Sequence, residues 1–295
     1  MYREIRNNIV RTYFLVMFFV LVVIAIGWLL SIYYGNSAIL YIAIIIAIFQ
    51  SGFGYFYGDK VALATTGAKG PIQKSDDAKL WNSVENLCIT SGLPMPKIYI
   101  IPTNAMNAFA TGRDPKHASV AVTTGLLENL TKPELEGVIA HELSHVKNYD
   151  IRVMSIVVVL VGVIALVSDM FLRSLWWGGR RDDNREGGGI VMILAIVGIV
   201  VAPLVASLIQ FAVSRSREYL ADASGALITR YPEGLSSALR KIALDNTQMP
   251  KASNATAHLF ITNPFKGNKV SNFFSTHPPV AERIKRLDKM EIDPS

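Results

Sequence analysis

Apolar residues along this chain gather into four long stretches, each close to the roughly 20 residues a helix needs to cross a bilayer. They run from about Tyr13 to Tyr34, Ala38 to Tyr57, Val153 to Leu172 and Ile190 to Val213. Only Tyr34-Gly35-Asn36-Ser37 separates the first two, so they pair as a helical hairpin. Arg3, Arg6 and Arg11 precede the first stretch, but its length and the lack of a small-residue cleavage site predict an uncleaved anchor. Lys60, Lys69 and Lys74 follow the second stretch, and the turn between the two is uncharged. The excess of basic residues on cytoplasmic flanks then places the N-terminus, and the chain from about residue 58 onward, in the cytoplasm. The second pair is ambiguous. Its connector carries Arg173, Arg180, Arg181 and Arg185 against Asp182, Asp183 and Glu186, with Gly187-Gly188-Gly189 as a linker. If both stretches cross, those arginines lie outside, against the rule; the alternative is a re-entrant or buried hairpin.

Between the hairpins the pattern is mixed and soluble. Ser75 is placed to cap a helix with Leu80, Val84, Leu87 and Cys88 on one face, stopped by Gly92. Lys97 to Ile101 alternates as a strand does. Ala105 to Thr111 and Ala118 to Thr123 flank the turn residues Gly112-Arg113-Asp114-Pro115, a hairpin signature. Thr131 opens a further helix, with Glu134 completing a capping box and Pro133 tolerated in the first turn. Residues 214–230, 232–245 and 278–290 read as helices, and 247–276, rich in Asn, Ser, Thr and Lys, as a mobile loop. The expected units are 1–58, an N-terminal transmembrane hairpin; 59–150, the first part of a catalytic domain; 151–213, a second hydrophobic hairpin; and 214–295, the second part of that domain.

Composition agrees with a membrane protein. Of 295 residues 51% are hydrophobic and 18% charged. A net charge of +6 invites a nucleic-acid reading, but the basic residues flank apolar runs, where anionic lipid headgroups account for them. No RNA-binding signature, phosphate loop or internal repeat is present, so a lipid bilayer and no nucleic acid is expected as partner. One cysteine, Cys88, excludes an internal disulfide.

The helix opened by Thr131 carries His141-Glu142-Leu143-Ser144-His145. Histidines four apart share a helix face, so both imidazoles reach one metal ion, and Glu142 leans over it without binding, placed to take a proton from water. Only five histidines occur in the chain, which makes a chance match rare. A catalytic zinc needs a third protein ligand. In Ser216-Arg217-Glu218-Tyr219-Leu220-Ala221-Asp222, the carboxylates of Glu218 and Asp222 are also four apart. From spacing alone, Glu218 is as readily a ligand as an ordinary surface carboxylate, and Asp222 can accept the outer N–H of a ligand histidine. His117 and His258 match no pattern and read as surface residues.

Two N-terminal spans, His-Glu-Leu-Ser-His running into a hydrophobic stretch, and then Arg-Glu-Tyr-Leu-Ala-Asp resemble the HtpX and CAAX-prenyl-protease family of gluzincin membrane peptidases, over essentially the whole chain. That resemblance implies one zinc ion per chain held by His141, His145 and Glu218, with Asp222 behind a ligand histidine. It also implies that Asn107-Ala108-Phe109-Ala110 is the strand whose backbone pairs with an extended substrate; an ordinary edge strand is the plainer reading. His277-Pro278-Pro279 and Arg283 are similar to the family's terminal motif, in which a histidine and an arginine face the scissile group and share the oxyanion's charge. A capping role for His277 and a surface position for Arg283 are the alternative.

The expectation is therefore a mainly α membrane protein with an α+β catalytic part: two hydrophobic helical hairpins and a zincin-like domain with a small sheet. Its activity would be zinc-dependent endopeptidase cleavage of unfolded or misfolded membrane proteins at the cytoplasmic face of a bacterial inner membrane, in protein quality control. A site-2-type intramembrane protease is disfavoured because the polar residues Thr131 to Glu136 precede the motif. A prenyl-protein peptidase has more spans than four stretches allow. A scaffold or holdase with structural zinc would close its site with a fourth ligand, and would leave Glu142 idle.

Overall fold

The structure, a computed structural model, describes residues 2–162, 214–253, 255–265 and 278–290. The second hydrophobic hairpin beyond residue 162, its glycine linker and His277 lie outside them.

Two helices open the chain, α1 (Tyr2–Tyr34) and α2 (Ala38–Thr66), packed on each other along the hairpin. Both are long and apolar enough to span a membrane, with hydropathy 2.9 over Ile5–Ile32 and 2.0 over Ala38–Thr66. Neither is a buried core helix: Phe14, Leu21, Trp28, Ile45 and Phe49 project outward with half or more of their surface free. Such an apolar exterior suits lipid, because in water it would be an aggregation hazard. Helix α2 continues past the 58/59 boundary expected from hydropathy, ending where Gly67 turns left-handed at φ 74°. At 1.5 Å per residue its 29 residues reach well beyond a hydrocarbon core of about 30 Å. The last turns project from the span, and Ala62 and Leu63 pack with Ile101, Phe109, Ala121, Met154 and Phe260.

Helix α3 (Ala78–Ser91) is stopped by Gly92 as expected, but its cap is Asp77, whose carboxylate accepts the Leu80 N–H at 2.9 Å. Ser75 lies two residues too early, in a tight turn closed by Gln73 N–H donating to Asp76. Strands β1 (Lys97–Ile101), β2 (Ala108–Gly112) and β3 (Ala118–Thr123) form, among the described residues, a three-stranded sheet in the order β1-β3-β2. β2 and β3 are the expected antiparallel hairpin, with Ala108 opposite Val122 and Gly112 opposite Ala118; β1 joins β3 in parallel. Helix α4 (Thr124–Asn129) leads to α5 (Lys132–Lys147), after which residues 150–162 are again helical. Helices α6 (Arg215–Thr229), α7 (Pro232–Leu244) and α8 (Val280–Leu287) complete the described chain, in the three places where the polarity pattern puts them.

The main core lies between the sheet and α3, α5, α6 and α7, around Val84, Ile98, Val120, Val122, Ile139, Leu143, Leu235 and Leu239. The expected mobile loop is not uniformly loose. Within it Ala257–Leu259 forms a 3-10 turn, and Leu259, Phe260 and Ile261 are buried. Phe260 meets Phe109 edge to face, with ring centroids 5.2 Å apart. His258, expected at the surface, is wholly buried, and its Nε2 lies 3.1 Å from the Met154 carbonyl. One apolar triplet in a polar stretch outweighed the average composition. His117 is half exposed beside Asp114, as expected.

Candidate metal centre

Helix α5 runs through the middle of the catalytic part, and its N-terminus is anchored before its chemistry begins. Thr131 and Glu134 form the capping box, with Thr131 N–H donating to Glu134 at 2.8 Å. Ser237 and Lys241 of α7 donate to the same carboxylate at 2.6 and 2.7 Å. Burial tends to raise the Glu134 pKa, but these donors outweigh it and bring it to about 2. One turn before His141, Gly137 touches α7 so closely that an added Cβ would lie 2.6 Å from Leu235 N. On the opposite flank, the Cβ position of Gly225 on α6 is 2.9 Å from His141 N. Two close helix contacts thus hold the histidine-bearing turn between α6 and α7.

The two imidazoles converge, with Nε2 of His141 and Nε2 of His145 3.2 Å apart. The Glu218 carboxylate faces both, at 3.8 Å from His141 Nε2 and 3.5 Å from His145 Nε2. All three residues are buried, and their ligand atoms lie within 4.8 Å of one another. The outer nitrogens are engaged: Nδ1 of His145 donates to Asp150 at 2.8 Å and Nδ1 of His141 faces Asp222 at 3.0 Å. With the Nδ1 protons so directed, both Nε2 lone pairs point inward toward a carboxylate. Lone pairs crowded together in a buried space repel unless a cation lies among them. Tetrahedral zinc with arms of about 2.0–2.1 Å sets its ligand atoms about 3.3–3.4 Å apart, close to the separations found here. The donor set fits the ion.

Glu142 is buried beside this cluster and accepts a hydrogen bond from the backbone N–H of Ala110 in β2. Burial raises its pKa above the ordinary carboxylate value, against the two imidazoles. Arg283 of α8 is fully buried, not on the surface. Its Nε and Nη2 grip Asp222 at 2.8 and 2.6 Å, and Nη1 donates to the Ile261 carbonyl at 3.0 Å. Burial would push the Asp222 carboxyl up, but the Arg283 guanidinium and His141 hold it well below the usual range. The same ion pair, with Glu218 and Glu142 nearby, raises the Arg283 pKa despite its burial.

The tertiary fold therefore brings His141, Glu142, His145, Glu218, Asp222 and Arg283 together from three helices. Ala108, Phe109 and Ala110 lie beside them on the edge strand β2, with Asn107 just before it, but that edge is in use. Ile261 N–H donates to the Ala108 carbonyl at 3.0 Å, Asn107 donates to the Thr262 carbonyl at 3.0 Å, and Ser155 binds Gly112 N–H at 3.0 Å. Sequence reasoning missed Asp150. It stands five residues after His145, off helical spacing, and reaches the ring because the chain turns at Asn148 and Tyr149, the latter at φ 62°.

Paired apolar helices joined to a small sheet, with two histidines and a glutamate converging on one point, define a membrane-bound metallopeptidase. The model for peptidase family M48 matches residues 74–291, and the chain belongs to that family. A "Protease HtpX homolog" of Tropheryma whipplei (strain Twist) is 48% identical over 290 residues, 98% of each chain. A protein of the same name from Caldanaerobacter subterraneus subsp. tengcongensis is 45% identical over 292 residues, 97% of this chain and 96% of its own. The crystal structure of S. mikatae Ste24p shares the fold at TM-score 0.52 and 17% identity, over 98% of this chain and 67% of that one. Membership of the family implies a metal ion, and the His141, His145 and Glu218 cluster offers the place for it.

Proposed function

We propose that this chain is a zinc endopeptidase of a bacterial cytoplasmic membrane that cleaves unfolded or misfolded membrane proteins on the cytoplasmic side. The observation that carries the reading is the convergence of His141, His145 and Glu218 with a buried Glu142 beside them. Zinc held there would act as a Lewis acid on a carbonyl oxygen and bring the pKa of water to roughly 7. Glu142 takes the proton of the attacking water and returns it to the leaving amine. Asp222 and Asp150 keep both rings oriented with Nε2 inward. The backbone of Asn107 to Ala110 pairs with an extended substrate, which requires Ile261 to leave the Ala108 carbonyl. The same displacement releases Nη1 of Arg283, which with His277 then donates to the oxyanion. Backbone pairing favours unfolded substrates, since it is indifferent to side chains. Arg3, Arg6 and Arg11 in the first turns of α1, with Lys60 near the end of α2 and Lys69 and Lys74 beyond it, support a cytoplasmic site.

The test is cleavage of casein by protein purified with chelator and then given zinc, comparing wild type with Glu142→Gln. Zinc-dependent cleavage by wild type alone is expected. Equal activity in both would assign the cleavage to a contaminant. Bound zinc without cleavage by either would favour the scaffold reading.

A further inference from the structure

Asn8 is a carboxamide within the first apolar span, and it is 1% exposed. Such a group in a membrane helix is costly unless its hydrogen bonds are made. Here they are all directed at the metal centre's surroundings. Its Nδ2 donates to the Asn148 carbonyl at 2.5 Å and to Asp150 Oδ1 at 2.7 Å, and its Oδ1 accepts from Nη1 of Arg217. Arg217 also forms an ion pair with Asp150 Oδ1. The other Asp150 oxygen holds Nδ1 of His145 at 2.8 Å, and Arg217 immediately precedes Glu218 on α6. One side chain of α1 thus grips both the carboxylate that orients one histidine and the turn of helix that carries the glutamate. Asp150 itself follows Tyr149, whose positive φ of 62° is an unfavourable conformation for a residue of that kind. Contacts elsewhere must hold that turn in place, and Asn8 supplies one to Asn148.

We propose that Asn8 is a positioning residue for the metal centre. Through Asp150 and Arg217 it sets the His145 ring and the first turn of α6, so the first membrane helix is part of the metal site and not only an anchor. The proposal rests on the reading of His141, His145 and Glu218 as metal ligands. Groups that orient a ligand ring typically change metal affinity by about 10–100-fold when lost.

The experiment measures zinc affinity of the full chain in detergent by competition with a chromophoric chelator, together with the melting temperature of the metal-free protein. Asp150→Ala is expected to weaken zinc by about tenfold or more, and Asp150→Asn by less, because its amide oxygen still accepts from Nδ1. Asn8→Ala is expected to weaken zinc by about three- to tenfold, less than loss of the ring's own partner, because Asn8 acts at one remove from the ring. Asn8→Leu, which a membrane helix accommodates readily, is expected to show the same loss. The double variant Asn8→Ala/Asp150→Ala should lose less than the product of the two single losses, since the route through Asp150 is shared and only the one through Arg217 remains. Wild-type affinity in both Asn8 variants, with or without a lower melting temperature, would reduce Asn8 to a packing residue and overturn the proposal. So would a double variant whose loss is the product of the two single losses. Failure of wild type to bind stoichiometric zinc would instead remove the metal-centre reading itself.

Discussion

The contact between α5 and α6 at Gly225 places a quantitative demand on the metal centre. A Cβ at that position would lie 2.9 Å from His141 N, 3.1 Å from His141 Cα and 3.2 Å from the Ala140 carbonyl carbon. All three are backbone atoms of a helix and cannot swing aside as a side-chain tip does. Ordinary carbon contacts are about 3.5–4.0 Å, so in Gly225→Ala the two helices must separate by about 0.6 Å or more. Glu218 is seven residues earlier on the same helix and moves with it, whereas both histidines stay on α5. A metal site tolerates about 0.2 Å in its ligand distances, so the glutamate is carried out of range. Metal affinity is expected to fall by about 10–100-fold, as when a ligand's support is lost, and casein cleavage with it. Overpacking costs about 1–3 kcal/mol, offset by up to about 1 kcal/mol from replacing a helical glycine, so most of the protein remains folded. The assay is chelator competition for zinc, with Gly52→Ala as control, because nothing lies within 4 Å of that Cβ position. Zinc binding by Gly225→Ala at wild-type strength would refute the claim that this contact sets the ligand geometry.

Arg283→Met strands Asp222 as a buried carboxylate without its guanidinium, and a loss of about 3–5 kcal/mol is expected in denaturant unfolding; an unchanged midpoint would mean Asp222 is satisfied by other groups. Glu134 has its pKa lowered from 4.5 to about 2 on folding, so its contribution is complete above the ordinary value and is lost as pH falls from about 4.5 toward 2. Glu134→Gln keeps an amide oxygen for the Thr131 N–H but loses the ion pair with Lys241, so it should be less stable than wild type at neutral pH by about 1 kcal/mol, with the difference shrinking as pH falls toward 2; a gap unchanged at pH 2 contradicts the assignment. Phe260→Ala removes a fully buried ring stacked edge-on to Phe109, at an expected cost of about 3–5 kcal/mol; a change below 1 kcal/mol would show that 255–265 is a loosely held loop after all.

Much of the site was readable in one dimension because its groups repeat at helical spacing. His141 and His145, and likewise Glu218 and Asp222, fall on one helix face each, and the 3.6-residue period alone makes each pair converge. The apolar runs of α1 and α2, the capping box at Thr131 and Glu134, and the stop at Gly92 are local in the same sense. Each depends on a few neighbouring residues.

What depended on the fold is whatever joins residues distant along the chain. Composition made 247–276 a polar loop, yet the Leu259-Phe260-Ile261 triplet found the space beside Phe109 and covered the edge of β2. By its local pattern alone Arg283 could equally be a surface cation, and it becomes the buried clamp of Asp222 only because α8 docks against α6. Asp150 and Asn8 carry no spacing signal at all. They are 142 residues apart and meet because a left-handed turn at Tyr149 folds the chain back toward the first membrane helix. Helical periodicity decides which groups on one element share a face; the side chains that orient them come from other elements, and only packing brings those within hydrogen-bond reach.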